Sequence, residues 1–553
     1  MYKNLVLKIL KKHVKEDIVL EVPPNPELGD YAFPCFTLAR KYKKNPSLIA
    51  EELASKIKPT KYIVKIENVG PYVNFFLNKT YIADTIINKI LTEKSSFGSS
   101  NIGKGKKALI EHTSINPNAS PHMGRSRNAI IGDSISRMLR FQGYKTTVHY
   151  FVNDIGKQIA MLVLASQGKN LKFEQLLDAY VKLNNKLKSN PELEKQIFDI
   201  INKLELGDKK VKNEFRKIVD TCIKGQTNIL SELGIKYDKF DYESKYLWDN
   251  STKEIIKKLE RTDKVFIDEN NRKVLDLKGH NLSMRNPVLV LTRNDGTSLY
   301  VVRDMAYTID KMKKANDVNL IILGEDHKLY FEQLKIALSM LKVKSPVPIY
   351  YSYILLKGQG KMSTRKGTLV LLEDVMKEAL SKAEKEIIKR HGKVKDLKKR
   401  AKIIAYGAIK YSILKVSRDK NVFFDIEEAL SFEGDSAPYL QYVYARINSL
   451  FKKGQIKGKI DYSLLTRTEE DKLITLLSQF QESVHKSFTS FNPHIIANYL
   501  SDLGRAYNEF YHNCPILTED EKLKNARLIL SKAVMQVLKN GLDLLGIETL
   551  DVM

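Results

Sequence analysis

One segment near residue 120 constrains the fold of this chain more than any other. A run typical of a β-strand covers 107–113 (KALIEHT), a loop follows at 120–129 (SPHMGRSRNA), a helical pattern covers 128–141, and a second strand-like run covers 145–152. Strand, loop, helix and strand in this order predict a βαβ unit, whose first crossover is a common place for a phosphate group. The segment therefore predicts an α/β protein with a parallel sheet.

The loop of this unit has the chemistry of an anion-binding site. It lacks the Gly-x-Gly-x-x-Gly pattern of dinucleotide-binding proteins. It presents His122, Gly124, Arg125 and Arg127 near a helix N-terminus, where free backbone N–H groups and the positive end of the helix dipole attract an anion. A His-x-Gly triplet alone has little specificity, so its meaning depends on the rest of the chain.

The length of 553 residues is too great for a single hydrophobic core. The pattern predicts an N-terminal α+β domain over 1–100 and a Rossmann-like, doubly wound parallel sheet over 101–373. A mostly helical insertion at about 155–290 interrupts this sheet, and an all-α domain covers 374–553.

Shorter elements are predicted within these parts. In the first part, 30–43 and 47–56 are predicted as helices and 62–77 as two strands around Gly70-Pro71. The stretch 155–260 is predicted as helical, followed by a hairpin over 264–277. The second half of the sheet is predicted from strands at 288–292 (VLVLT) and 298–302 (SLYVV), a helix at 303–314, and further strands in NLIILGEDH and PIYYSYILL. No strand is expected after residue 374.

The charge of the chain favours a polyanionic partner. The formal net charge is +27 and the sequence pI is about 9.5. Such a field raises the local concentration of nucleic acid, although a Lys-rich surface that only interacts with water remains an alternative.

Targeting and cysteine patterns point to the cytosol. The N-terminus has no apolar signal segment and no apolar run approaches twenty residues, so we expect neither secretion nor a membrane span. Cys35, Cys222 and Cys514 are far apart in sequence, which argues against a disulfide framework or a Cys-rich zinc site.

A second basic loop, 358–367 (GQGKMSTRKG), follows the last predicted strand of the sheet. Its cations and hydroxyls, Lys361, Ser363, Arg365 and Lys366 among them, could neutralise the charge of a triphosphate during cleavage. Taken alone, the loop could equally be a solvated basic hairpin.

Together the two loops resemble those of class I aminoacyl-tRNA synthetases, which carry a His-x-Gly signature and a Lys-Met-Ser loop. Further segments, in order along nearly the whole chain, resemble the arginyl-tRNA synthetase family. These segments are Gly29–Ala32 (GDYA), Gly70–Asn74 (GPYVN), Glu111–Asn116 (EHTSIN), Val152–Gln158 (VNDIGKQ), Tyr300–Asp304 (YVVRD) and Ser436–Arg446 (SAPYLQYVYAR).

The resemblance implies an arginine–tRNA ligase that uses ATP and Mg²⁺, first forming arginyl-adenylate and pyrophosphate and then moving arginine to the 3′ end of tRNA-Arg. It implies ATP-binding and catalytic roles for His122, Gly124, Arg125, Lys361, Met362, Ser363 and Lys366. It implies that L-arginine is bound by Glu111, Asn116, Tyr300, Asp304 and Asp326, with Asp304 as the guanidinium partner. No residue is assigned as a metal ligand.

The resemblance also implies that the last domain reads the anticodon and that the first contacts the tRNA. The implied tRNA-binding residues are Tyr72, Asn74, Tyr439, Gln441, Tyr442, Arg446 and Tyr511. We expect a cytoplasmic monomer of the translation machinery with no membrane partner.

Several alternatives stay open at this point. Asp304 could cap a helix, Glu111 could be a surface carboxylate, Tyr300 could belong to the core, and the C-terminal tyrosines could pack rather than stack on bases. Arg125 stands where the family usually has a second histidine, and Thr364 where it usually has a second lysine.

Two other kinds of protein therefore remain possible. One is another class I synthetase, and the other is a tRNA-binding paralogue that has lost catalysis.

Overall fold

The computed structural model describes residues 2–187, 189–314, 317–356, 359–361, 370–392 and 394–553. Within these ranges no helix is long and apolar enough to span a bilayer. The helices are α1 (Tyr2–Leu10), α2 (Phe36–Tyr42), α3 (Pro46–Lys56), α4 (Lys79–Glu93), α5 (Met123–Phe141), α6 (Lys157–Ser166), α7 (Phe173–Leu187), α8 (Pro191–Glu205), α9 (Lys209–Glu232), α10 (Lys245–Trp248), α11 (Ser251–Glu260), α12 (Tyr300–Met312), α13 (Lys328–Met340), α14 (Leu372–His391), α15 (Leu397–Leu414), α16 (Ile426–Ala429), α17 (Ala437–Lys453), α18 (Thr468–Ser490), α19 (His494–Asn513) and α20 (Glu521–Leu544). The strands are β1 (Tyr31–Pro34), β2 (Ile63–Val69), β3 (Tyr72–Leu77), β4 (Lys107–Glu111), β5 (Lys145–Val152), β6 (Lys239–Tyr242), β7 (Val265–Ile267), β8 (Lys273–Asp276), β9 (Val288–Val290), β10 (Val318–Gly324), β11 (Val347–Tyr351), β12 (Ile354–Leu356), β13 (Gln359–Lys361) and β14 (Val422–Phe424).

The central sheet is parallel, with the strand order β11-β10-β4-β5-β6. Strand order reverses between β4 and β10, and a crevice at such a reversal is where doubly wound folds bind ligands. The inner strands are apolar, and four of the five residues of β4 are buried. The predicted fold class, a doubly wound parallel sheet, is confirmed.

The outermost strand of this sheet, β6, lies in a region for which the sequence predicts only helices. The stretch 155–260 was expected to be helical, but β6 lies within it and pairs with β5, with His149 opposite Lys239 and Val152 opposite Tyr242. Four residues between two helical segments are too few to show an alternating pattern, so the strand is defined by its pairing partner and not by its own sequence.

The segment after Pro287 also differs from expectation. The run 298–302 (SLYVV) was predicted as a strand, yet α12 begins at Tyr300. Burial of Val301, Val302, Met305 and Ala306 follows the helical period, and this packing outweighs the strand preference of two adjacent valines. The predicted strand at 288–292 exists as β9, but it belongs to a separate antiparallel sheet with β7 and β8. The predicted hairpin over 264–277 is confirmed by the pairing of β7 and β8.

The N-terminal part is built on an antiparallel sheet of order β1-β3-β2. The strands β2 and β3 and the helix α3 were predicted, and Asn45 caps α3 by accepting from Ser47 N. The predicted helix 30–43 is wrong in its first half, because β1 pairs there with β3.

The C-terminal part is helical apart from β14, which pairs in parallel with β12 and was not expected. Its last residues are fastened to the catalytic part. Ser134 Oγ on α5 donates to Leu544 O at 2.9 Å. Within the helical part itself, Lys410 Nζ on α15 donates to Gly546 O at 2.5 Å. The helical part is therefore in direct contact with the helix that carries the first phosphate loop.

Candidate active site

The first phosphate loop ends at the N-terminus of α5. His122 is the N-cap residue, its ring makes no capping bond, and its Nδ1 is buried without a hydrogen-bond partner among the described residues. Burial, reinforced by the charge of Arg125, lowers the pKa of His122 to about 4. The ring is thus neutral at pH 7, and its Nδ1 is available for a hydrogen bond to a ligand.

The chain after the second phosphate loop is bonded to the first. Met123 N donates to Val370 O at 2.9 Å, and Leu372 N donates to Pro121 O at 2.9 Å. Residues 370–372, which follow the second loop in sequence, therefore lie beside the first loop. Lys361 ends β13, and Met362, Ser363 and Lys366 lie outside the described residues.

Asn128 on α5 holds the two strands at the reversal point. Its Oδ1 accepts from Thr113 N at 2.7 Å and its Nδ2 donates to Ile322 O at 2.9 Å, so it joins the end of β4 to β10. Thr113 adopts φ 63°, an uncommon conformation for a β-branched residue and one that concentrates at functional sites. The crevice between β4 and β10 is thus fixed by side-chain bonds.

The two arginines of the first loop have different environments. Arg127 is fully buried and donates to Ser352 O at 2.6 Å, Tyr353 O at 3.2 Å and Ser417 O at 3.0 Å. These bonds tie α5 to the end of β11 and to the segment before β14, which is a structural role. Arg125 is partly exposed beside His122 and is available for an anion.

One face of α12 forms the side of the crevice. Tyr300, Asp304, Tyr307 and Lys311 are spaced by four, three and four residues, so they share that face. The hydroxyl of Tyr330, on α13, donates to Asp304 Oδ2, and the rings of Tyr300 and Tyr330 are 5.4 Å apart. Tyr300 is 54% exposed, so its ring is open to a ligand and does not belong to the core.

Asp304 lies in an acidic environment. Its pKa is raised to about 6, chiefly by burial and further by Glu111, while the Tyr330 hydroxyl opposes the shift. Within the part of the chain that the structure describes, no donor reaches Oδ1 of Asp304. A cation with a planar array of donors fits such a carboxylate.

Glu243 is a second buried carboxyl of this pocket that the sequence analysis missed. It follows β6, and its Oε1 accepts from Arg303 Nε at 2.7 Å. With the Asn153 amide oriented to donate, its nitrogen lies 3.0 Å from Oε2. Burial raises the pKa of Glu243 to about 7, and the charge of Asp304 adds to the shift. Once β6 is recognised as a strand of the sheet, its position at the carboxyl edge would have identified Glu243.

The other predicted arginine-binding residues have different settings. Glu111 is buried at the end of β4 and is paired with Lys311, so it is not a surface carboxylate. Asn116 is exposed and donates to Gln158 Oε1 at 2.9 Å. Asp326 is exposed in the turn after β10, where its Oδ1 would lie 2.4 Å from a Cβ at position 324, so its carboxylate folds back over Gly324. The structure thus groups Glu111 with Asp304 and Tyr300, and leaves Asn116 and Asp326 at the rim.

Four of the five predicted tRNA-binding residues of the C-terminal part form one cluster, namely Tyr439, Tyr442, Arg446 and Tyr511. The guanidinium of Arg446 lies 4.7 Å from the ring centre of Tyr442 and 4.6 Å from that of Tyr511. Asn508 joins the cluster by accepting from Arg446 Nη1 at 2.8 Å and donating to the hydroxyl of Tyr439 at 2.7 Å.

Two of the predicted tRNA contacts are contradicted by burial. Gln441 is 0% exposed and donates to Glu548 O at 2.8 Å, which is a packing role. Asn74 is 2% exposed in the middle strand of the N-terminal sheet, whereas Tyr72 is partly exposed and packs against Phe36. Neither Gln441 nor Asn74 offers a surface to a macromolecule.

Among the described residues, no group of three or more His, Cys, Asp or Glu side chains could hold a metal ion.

A doubly wound sheet whose first crossover presents His122 and is bonded to the end of a second phosphate loop defines a class I aminoacyl-tRNA synthetase catalytic fold. The family described as tRNA synthetases class I (R), catalytic domain, matches residues 86–426. The DALR anticodon binding domain matches 440–553, and the arginyl tRNA synthetase N terminal domain matches 2–77.

Individual relatives agree with these matches. The arginine–tRNA ligase of Methanocaldococcus jannaschii is 38% identical over 565 residues, covering 99% of this chain and 98% of the relative. That of Clostridium perfringens is 35% identical and covers 100% of both. The structure of Thermus thermophilus arginyl-tRNA synthetase superposes with a TM-score of 0.83 at 27% identity, over 100% of this chain and 99% of that one. The chain belongs to the arginyl-tRNA synthetase family.

Proposed function

We propose that this chain ligates L-arginine to tRNA-Arg in two steps, with the roles of its residues as follows. In the first step a carboxylate oxygen of arginine attacks the α-phosphorus of ATP, so arginyl-adenylate forms and pyrophosphate leaves. In the second step a hydroxyl at the 3′ end of the tRNA attacks the carbonyl carbon, so AMP leaves. The observation that carries the proposal is the pocket at Asp304, where three carboxyl groups (Asp304, Glu111 and Glu243) face two cations (Arg303 and Lys311).

The guanidinium of arginine pairs with the free Oδ1 of Asp304, and the exposed ring of Tyr300 covers one face of the side chain. Glu243 has both oxygens engaged by Arg303 and Asn153, so it acts through its negative charge and not as a direct ligand. Burial is the chief cause of the raised pKa of both carboxyl groups, and their mutual negative charge adds to it, so a bound cation would favour the ionised form of Asp304.

At the other end of the amino acid, Glu111 is balanced by Lys311. The pair places a fixed dipole under the crevice, and Asn116 and Asp326 at the rim reach the amino acid from either side of the reversal point.

ATP is held at the N-terminus of α5 by the loop residues His122, Gly124 and Arg125. The neutral ring of His122 supplies a hydrogen bond from its unpartnered nitrogen, and Arg125 supplies charge. The leaving pyrophosphate is bound by the residues of the second loop, Lys361, Met362, Ser363 and Lys366. Mg²⁺ would enter with the nucleotide and neutralise phosphate charge, and no described residue is assigned to hold it.

Anticodon bases stack on the cluster of Tyr442, Arg446 and Tyr511, which offers aromatic faces and a cation in one place. Tyr439 supports this cluster through Asn508, and Tyr72 contacts the tRNA from the N-terminal part. We propose the division 1–100, 101–373 and 374–553 for these three tasks. The enzyme acts as a monomer in the cytoplasm.

The experiment that tests the proposal is ATP–pyrophosphate exchange with arginine, with and without tRNA, using lysine and cysteine as controls. Exchange with arginine alone among the amino acids supports the ligase, and its dependence on tRNA would show that tRNA completes the site. Tight tRNA binding without exchange under any condition would instead support a catalytically inactive paralogue, which Arg125 and Thr364 favour.

A further inference from the structure

We propose that Tyr330 is a positioning residue that determines specificity for arginine, because its hydroxyl fixes one oxygen of Asp304 and so aims the other oxygen at the guanidinium. The inference rests on the proposed function. Tyr330 lies on α13, outside the segments that resemble the family, and the bond joins it to α12.

The orientation of the Asp304 carboxylate matters because of the shape of its ligand. An aspartate carboxylate can rotate about its Cβ–Cγ bond, whereas a guanidinium is a planar fork that needs an acceptor in its own plane. The Tyr330 bond engages Oδ2 and leaves Oδ1 without a donor among the described residues. The plane of the carboxylate is thereby set before arginine arrives.

Tyr330 positions the second wall of the pocket as well. Its ring lies 5.4 Å from the ring of Tyr300 with an interplanar angle of 41°. Tyr300 is otherwise 54% exposed, so this contact supports its orientation. One side chain therefore holds both the carboxylate and the aromatic face that flank the arginine side chain.

The hydroxyl also affects the charge state of the carboxyl. Asp304 faces Glu111 from β4, Arg303 and Lys311 from α12, Tyr330 from α13 and the nearby Glu243 that follows β6. Burial and Glu111 raise the pKa of Asp304, and the Tyr330 hydrogen bond is the first of the interactions that lower it. Removing only the hydroxyl should raise this pKa further above its value of about 6.

The test is steady-state aminoacylation by Tyr330→Phe between pH 5.5 and 8, with saturating ATP and tRNA. Phenylalanine keeps the ring, so the packing on Tyr300 is retained. We expect the KM for arginine to rise about tenfold with kcat within about twofold, since one hydrogen bond to a charged group is lost. The acidic limb of kcat/KM should move to higher pH, which loss of packing alone would not cause. The preference for arginine over lysine should fall, because an ammonium group does not need a planar acceptor.

The matched control is Tyr246→Phe. Tyr246 is buried, and its hydroxyl donates to Oδ2 of the partly exposed Asp310 at 3.0 Å, so it makes a second tyrosine–aspartate bond onto α12. This variant should leave both the KM for arginine and the acidic limb unchanged.

Two results would overturn the inference. In the first, Tyr330→Phe matches the wild type in KM, in pH profile and in selectivity. In the second, both variants lose activity in parallel with their thermal midpoints, which would make the bond purely structural. A wild-type enzyme that charges no arginine would refute the proposed function itself, so the two failures are distinguishable.

Discussion

Replacing Asp304 by asparagine changes the charge of the arginine pocket and little else. The two side chains have the same shape, and the amide oxygen can still accept from the Tyr330 hydroxyl. What is lost is the negative charge that faces the guanidinium. A hydrogen bond to a charged group contributes about 1.5–3 kcal/mol. At 1.36 kcal/mol for each factor of ten, kcat/KM for arginine should fall roughly ten- to hundredfold at pH 7.5.

The size of this effect should depend on pH in a defined direction. The pKa of Asp304 is about 6 in the free enzyme, and kcat/KM reports the free enzyme. At pH 7.5 almost all of the carboxyl is ionised, and at pH 5 only about one tenth is. The kcat/KM of the wild type therefore approaches that of the variant as the pH falls. The ratio of the two kcat/KM values should decrease about tenfold from pH 7.5 to pH 5.

The assay is the initial rate of tRNA charging with labelled arginine at subsaturating concentration. Taking the ratio of the two enzymes at each pH removes titrations that both share. Asp310→Asn is the control, because Asp310 lies on the same helix but pairs with Lys245 at the surface. A ratio that stays constant from pH 5 to 7.5, or a variant with unchanged kcat/KM, would refute the reasoning.

Three further changes have expected outcomes. His122→Gln should lower the rate of arginine-dependent ATP–pyrophosphate exchange about a hundredfold, because it displaces a hydrogen-bonding group at the developing phosphate charge, while leaving tRNA binding unchanged in a filter assay. Arg446→Ala should weaken tRNA binding about tenfold by removing the cation between two tyrosines, with the KM for arginine unchanged, and an equal loss for a tRNA with a changed anticodon would argue against a contact there. Gly132→Ala should lower the free energy of unfolding by about 1–3 kcal/mol, since the added Cβ would lie 2.3 Å from Cγ of the buried His112, and an unchanged thermal midpoint would contradict this packing.

The parallel sheet could be predicted because its inner strands are apolar runs that are recognisable in the sequence itself. The apolar runs that became β4 and β10 are buried over most of their length, and a helical period separates them from the next strands. The two basic loops were predicted from residue chemistry, and the hydrogen bonds at Met123 and Leu372 join the first loop to residues 370–372, which follow the second loop.

The features that could not be predicted depend on contacts that are distant in the sequence. The strand β6 has four residues and exists because β5, about ninety residues earlier, offers an open edge. Glu243 owes its burial to that pairing. The pairing of Glu111 with Lys311 joins residues 200 positions apart, and only the folded chain shows that the carboxylate is neutralised.

Exposure of side chains was the weakest part of the site prediction. Tyr442 and Gln441 are neighbours on α17, yet the helical period directs one towards the surface and the other into the core. A motif match treats such neighbours alike. The neighbours of α17 in the bundle decide which of them can meet a tRNA.

The central claim is that the acidic pocket selects arginine for attachment to tRNA. The most direct measurement is the charging of total tRNA by the purified protein with each of the twenty amino acids in turn, read as labelled aminoacyl-tRNA. We expect arginine alone to be attached, and we expect Asp304→Asn to abolish most of this charging at pH 7.5. Charging with another amino acid, or arginine charging that does not depend on Asp304, would contradict it.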